Sequence, residues 1–288
     1  MFCVKLDRPV DPVAVSVMRE VDTVAREMHL PYFLVGAMAR DVLLGHVFGL
    51  NTGRATRDVD FAFALADWEQ FRQIQDRLIA SGRFAAVRDI AHRLLFSPDG
   101  DDQGRMVDLL PFGGVEQPTH TIAWPPDMHI IMHVAGFSEA LQTALLVQVA
   151  TGLIIRVASL AGLALLKLFA WRDRGLEDTR DATDLVTLCR HYAEAGNLDR
   201  IYAEALPALQ AVDFDVELAG AWLLGKDTVA TASPQTCVQL KALLSDARTS
   251  ERLVNDMAKA LRSSGDAGTY AKQLLDQFTR GFSSQTVD

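Results

Sequence analysis

Between residues 33 and 63 the apolar spacing of the chain changes three times. Phe33, Leu34 and Val35 form a short continuous run that stops at Gly36, and Ala37 to Leu44 takes up helical spacing. Beyond a polar loop, Val59, Phe61 and Phe63 return at a period of two, with Asp58 and Asp60 on the alternate positions. Helices repeat every 3.6 residues and strands every two, so this run is expected to fold as strand, tight turn, helix, loop and strand. Upstream, Val13, Val17, Val21, Val24 and Met28 mark an amphipathic helix that Pro31 ends. Downstream, Trp68, Phe71, Ile74 and Leu78 mark another over Ala66 to Ala80, closed by Ser81 and Gly82. Strands are expected at 84–87, 92–96 and 106–110, the last two joined by the polar turn PDGDDQGR. Residues 115–135, with Pro118, Pro125 and Pro126, read as an irregular connection ending in a short strand near 130–134. A hairpin over 142–149 and 153–157 turns at Thr151 and Gly152. From Ser159, an N-cap residue type, the spacing is helical: LAGLALLKLFAWRDR, then 178–192, then several helices beyond 197 with breaks near Pro207, Pro234 and residues 263–268. The expected class is α+β: a core of mixed sheet with flanking helices over residues 1–156, followed by a mainly helical domain over 157–288.

Chemistry enters at the alternate positions of that third segment. Asp58 and Asp60, about 7 Å apart along a strand edge, offer the hard oxygen donors that suit Mg²⁺ or Mn²⁺. Gly36, at a strand-to-helix turn, lets a phosphate approach the main chain, and the first helical amides, from Ala37 on, point toward it. Asp108 stands alone among Met106, Val107, Leu109 and Leu110, where an unpartnered carboxylate is costly and calls for a cation, a partner or water. It is the candidate third acid. Lys167 falls in a helix with little polar surface, which leaves snorkelling or an anionic partner. Asp181 and Asp184, three apart, share a helix face. Arg40, Arg54 and Arg57, with Thr56, surround the first two segments and are candidate phosphate contacts.

Taken alone, two acids at D-x-D spacing occur by chance in most chains of this size. Gly36, Asp58, Asp60, Asp108, Lys167 and Asp181/Asp184 in that order carry more. His120, His129 and His133 lack ligand spacing, and Arg248, Arg252, Lys259 and Arg262 are offset by Asp246, Glu251 and Asp256.

With 288 residues and a formal net charge of −9, two domains are expected, and any polyanion must be held by a local basic patch. Cys3, Cys189 and Cys237 form neither a disulfide framework nor a zinc spacing. The N-terminal stretch has no apolar h-region, and the longest apolar run, near 145–155, carries Gln148 and ends at Arg156. A cytoplasmic protein with no membrane partner is expected.

VGAMARD followed by RATRDVDF resembles the nucleotidyltransferase superfamily. HRLLF, VDLLPFGG, WPPD, GFSEAL and VASLAGLALLKLFAWRDR narrow the resemblance to the AbiEii/AbiGii group of nucleotidyltransferase toxins, over roughly residues 30–195. One departure is Ala37, where active relatives often carry glycine or serine. The resemblance implies that Asp58 and Asp60 bridge two Mg²⁺ ions, with Asp108 completing the second and taking a proton from the acceptor hydroxyl. It implies that Lys167, Asp181 and Asp184 belong to the catalytic set, and that the helical domain completes the cleft for NTP and acceptor. The substrate would be an NTP, the acceptor RNA or a tRNA 3′ end, and the partner a separately encoded antitoxin. Two other readings stand beside it: transfer to a small molecule or protein, and a catalytically silent module that senses nucleotides or holds a partner.

Overall fold

The computed structural model describes residues 1–53, 56–98, 104–118, 120–261 and 266–284. The chain divides into two compact units, Met1–Ala158 and Ser159–Asp288.

In the first unit an eight-stranded mixed sheet is built from β1 (Phe2–Cys3), β2 (Tyr32–Val35), β3 (Val59–Leu65), β4 (Phe84–Ala86), β5 (Arg93–Phe96), β6 (Arg105–Gly113), β9 (Leu145–Ala150) and β10 (Leu153–Val157). Their spatial order is β1-β9-β10-β2-β3-β6-β5-β4. β2 and β3 pair antiparallel, β3 and β6 parallel, β6 and β5 antiparallel. The centre of the sheet is apolar: Phe33, Leu34, Phe61, Phe63, Val107, Leu109 and Phe112 are all buried. Tyr32 stacks on Phe63, and Phe33 meets Phe112 edge to face. α1 (Pro12–Glu27) and α3 (Trp68–Ala80) pack on the sheet and on each other. α1 starts where Asp11 caps Val13 and Ala14 and Pro12 fixes the first helical φ.

Three elements differ from the spacing. The helix expected over 37–44 is α2 (Gly36–Asp41) followed by a π-helical stretch, Val42–Val47; its buried Val42, Leu43, Leu44 and Val47 fit either winding. The proline-rich connection holds a second, two-stranded sheet, β7 (Thr121–Ala123) with β8 (Ile131–His133). α4 (Phe137–Gln142) replaces the start of the expected strand, so the hairpin begins at Leu145.

The second unit is helical: α5 (Leu160–Arg174), α6 (Arg180–His191), α7 (Leu198–Glu204), α8 (Leu206–Gln210), α9 (Val216–Thr231), α10 (Pro234–Ser245), α11 (Ala247–Ala260) and α12 (Ala267–Ser283). Ser159 caps α5 through the amide of Gly162 at 3.0 Å. α9 and α12 approach through glycine: a Cβ on Gly281 would lie 1.8 Å from the carbonyl oxygen of Trp222, and one on Gly225 2.0 Å from that of Phe278. Alanine normally improves a helix by about 1 kcal/mol over glycine. Here the obstacle is backbone, which cannot rotate away. Gly281→Ala is therefore expected to destabilise the unit by about 1–3 kcal/mol, read as a lower urea midpoint. No helix among the described residues is long and apolar enough to cross a membrane.

Candidate active site

The sheet register lines up the chemistry in one row. Asp60 on β3 lies opposite Asp108 on β6, and Asp108 opposite Arg93 on β5. Cross-strand partners project to the same face. At the β2 end of the row stands Gly36, with φ +68°; a Cβ there would fall 1.9 Å from Oδ2 of Asp60. The carboxylate occupies the space a side chain would need, so the turn has two reasons for glycine, the left-handed backbone and the contact. Gly36→Ala is expected to displace Asp60 and lower transfer activity by about 10²-fold, with a loss of roughly 1–2 kcal/mol in stability. Steady-state kinetics beside a denaturant melt separate the two effects.

Asp58 precedes β3 and is exposed, whereas Asp60 is half-buried in it. The expected strand thus starts one residue later than the acid alternation suggests. Asp108 is engaged on both oxygens: Arg93 donates from Nε at 2.6 Å and from Nη2 at 2.7 Å. Such a fork-to-fork pair is the strong geometry for guanidinium and carboxylate. The hydrogen bonds to Asp108 hold the Arg93 guanidinium above its usual range, burial opposes them, and the charges of Asp108, Asp58 and Asp60 add to the rise. One guanidinium therefore sits in the field of all three acids. Sequence spacing gave no sign of Arg93, although it lies in the HRLLF phrase. Its neighbour His92 rests by Trp124, ring centroids 5.2 Å apart, and burial pushes its pKa down despite Asp108.

The flanking residues divide. Gly36 and Ala37 are partly accessible at the end of the row. Arg40 is 2% exposed, with Nε 2.9 Å from Asp41, so its guanidinium is committed inside the fold. The other oxygen of Asp41 accepts from the amide of Thr56 at 2.9 Å, tying α2 to the loop that leads into Asp58. Arg57 is exposed. Arg54 lies outside the described residues. A cleft of about 490 Å³ opens along α2, lined by Arg8, Met38, Asp41, His46, Asn51 and Thr56 among others. It borders the loop before Asp58 but includes none of the three acids.

In the helical unit Lys167, Asp181 and Asp184 do come together. The Lys167 ammonium lies 2.8 Å from Asp181 and 2.5 Å from Asp184, and Arg174 reaches Asp181 at 2.7 and 3.0 Å. Two cations thus answer two carboxylates. Burial pushes the lysine down, but Asp184 and Asp181 outweigh it and leave its pKa raised. Asp181 is pushed up by burial and pulled further down by Arg174 and Lys167.

Whether a divalent ion fits is a question of donors. Among the described residues no cluster of three or more histidine, cysteine or acidic side chains is arranged around a metal. Magnesium is usually held by one or two carboxylates together with substrate phosphates and water. Asp58 and Asp60 are carboxylates of the kind such an ion takes, and Asp108 is paired with Arg93.

A strand-end glycine against an aspartate pair, on a mixed sheet with flanking helices, defines the class: the chain is a nucleotidyltransferase. It belongs to the family described as nucleotidyl transferase AbiEii toxin, Type IV TA system, whose model matches residues 29–269. Among solved structures it is similar to the antibiotic-resistance factor ANT(2'')-Ia, at 14% identity, covering 71% of this chain and 98% of that one, with a TM-score of 0.37. It is similar to CdnC of E. coli MS115-1 in its complex with HORMA-deltaN, at 14% identity, 94% and 89% coverage and a TM-score of 0.32. The Thermotoga maritima CCA-adding enzyme complexed with tRNA gives 13% identity, 98% and 86% coverage and a TM-score of 0.26. No curated protein matches the sequence at a significant level.

Proposed function

We propose that this chain moves a nucleoside monophosphate from an NTP to a hydroxyl of RNA, with a tRNA 3′ end as the acceptor, in a Mg²⁺-dependent in-line displacement. The observation that carries the reading is the contact of Gly36 with Asp60, which sets a side-chain-free turn beside the acid pair. Asp58 and Asp60 would hold the ion, which when bound neutralises charge on the phosphates and supports departure of pyrophosphate. The chain's own work is positioning. Gly36 and Ala37 let the triphosphate lie along the main chain, and Asp41 fixes the approach loop through Thr56. Arg93 brings a fixed positive charge beside the acids, and Arg57 is exposed for a phosphate. No step is routed through Lys167, Asp181 or Asp184, whose charges answer one another. The family description supports a toxin paired with a separately encoded antitoxin, and the proposed reaction, which draws on NTP, Mg²⁺ and RNA, suits the cytoplasm.

Incubation with each α-labelled NTP, Mg²⁺ and total RNA tests this. Label is expected in RNA, and Asp58→Ala combined with Asp60→Ala is expected to abolish it. Label transferred to a small molecule or to protein, with RNA unlabelled, would replace the acceptor. Tight NTP binding with no pyrophosphate released on any acceptor would replace the reaction.

A further inference from the structure

Along the sequence the cations of α11 are offset by its acids, but the contacts break that balance. Asp246 is engaged as the helix N-cap, where its carboxylate accepts from the amide of Thr249 at 2.8 Å. Asp256 is engaged on both oxygens, by the indole N–H of Trp171 at 3.0 Å and by Lys259 at 2.6 Å. Arg252, one turn before Asp256, forms no ion pair among the described residues: its guanidinium lies 4.2 Å above the centre of the Trp171 ring, and its buried Nε has no hydrogen-bond partner. Arg248 is exposed one turn further back, and Asp246 feels its charge without forming an ion pair. Glu251 is the exposed acid beside them, and Arg262 lies outside the described residues.

A solvated helix face has no need of the platform under Arg252. Trp171 is 1% exposed, Asp256 fixes its indole N–H, and Gly175 passes so close that a Cβ there would stand 2.8 Å from the same nitrogen. The ring is locked, so the planar guanidinium stacked on it is held in place before any ligand arrives. A half-buried cation with an orphaned donor and an aromatic face for a partner is incompletely compensated, and an oxyanion is the group that completes it. Arg248 adds a second charge about 6 Å away along the helix axis. That step is comparable with the one between successive phosphates of a nucleic-acid strand. A protein carboxylate would answer one arginine equally well, but the repeat of charge favours a polyanionic backbone. With a formal net charge of −9, the chain must hold such a backbone through a local patch of this kind.

We propose that Arg252, stacked on Trp171, and Arg248 one turn before it form a docking site for the phosphodiester backbone of the acceptor RNA. The inference rests on the reading above that RNA is the acceptor.

Fluorescence anisotropy of end-labelled tRNA on the full chain, with NTP omitted, tests it apart from turnover. Arg252→Met and Arg248→Ala are each expected to weaken binding about tenfold and to flatten the slope of log affinity against log salt by about 0.7–0.9. The loss is expected to be equal on an RNA of unrelated sequence, because phosphates carry no base identity. NTP affinity, read by calorimetry without RNA, is expected to stay unchanged. If Arg252→Met does not fold, Arg248→Ala at its exposed position still decides. Unchanged RNA affinity and salt slope in the folded variants overturn the inference and leave the arginines to a carboxylate of a protein partner. A loss confined to one RNA sequence overturns it as a base contact, and a loss of NTP affinity with RNA binding intact overturns it in favour of the nucleotide. A wild type that binds no RNA, while label passes to a small molecule or protein, marks failure of the acceptor reading itself.

Discussion

Asp60→Asn is expected to slow nucleotide transfer by about 10³-fold, with the thermal midpoint of unfolding nearly unchanged. Asparagine has the shape of aspartate, so the contact with Gly36 survives and the turn keeps its backbone. What is lost is one full negative charge at the place where a hard cation would be held, and an amide oxygen is a much weaker partner for it. Asp58→Asn is expected to cost a similar amount although that residue is exposed and lies outside β3, because both acids would serve one ion. Shared service makes the losses non-additive: the double variant should be little worse than either single one. If the two losses multiply instead, the residues act independently and the common ion is excluded. Single-turnover rates at saturating Mg²⁺ are the measurement, since weakened ion binding alone is corrected by excess metal and a lost chemical contribution is not.

The sequence alone made the framework readable where periodicity is strong. The amphipathic stretches before Pro31 and after Ala66 form α1 and α3, and Ser159 caps a helix where its residue type suggested a cap. The alternation around Asp60 marks β3 because Phe61 and Phe63 bury themselves in the sheet. Register is another matter. That Asp60 faces Asp108 follows from β6 lying parallel beside β3, and that Asp108 faces Arg93 follows from β5 lying antiparallel on its far side. No local spacing encodes either pairing. Arg93 therefore passed as an ordinary strand residue, although it holds the acid that looked most in need of a cation. Arg40 is the opposite case: its place beside the glycine turn suggests a phosphate contact, and the helix winds it inward onto Asp41. The short elements β1, β7 and α4 were hidden because two to six residues are too few to show a period.

Lys167→Met is expected to destabilise the helical unit by about 3–5 kcal/mol, the cost of removing one partner from a buried ion pair. Asp181 is 1% exposed and Asp184 3%, so neither can turn to water when the ammonium is gone. Arg174 remains bonded to Asp181, but the ammonium that both buried carboxylates shared is gone. Methionine fills the volume of the lysine stem, which separates loss of charge from loss of packing. The sign with pH follows from the shifts. The depressed pKa of Asp181 makes its contribution present above the unfolded aspartate value near 3.9 and lost as pH falls through the lower folded value. The raised pKa of Lys167 makes its contribution present below the unfolded lysine value near 10.4 and lost as pH rises through the higher folded one. The wild-type network is thus complete across the neutral range. In the methionine variant Asp181 loses one of the cations that held it ionised and can take up a proton instead, so the penalty should be greatest near pH 7–8 and shrink toward pH 5. Lys167→Met with Asp184→Asn should recover part of the loss at pH 7, because it removes the excess charge. Urea unfolding of the four proteins of that cycle at two pH values checks both expectations. A penalty that is small and flat with pH would mean that the network contributes packing and little charge.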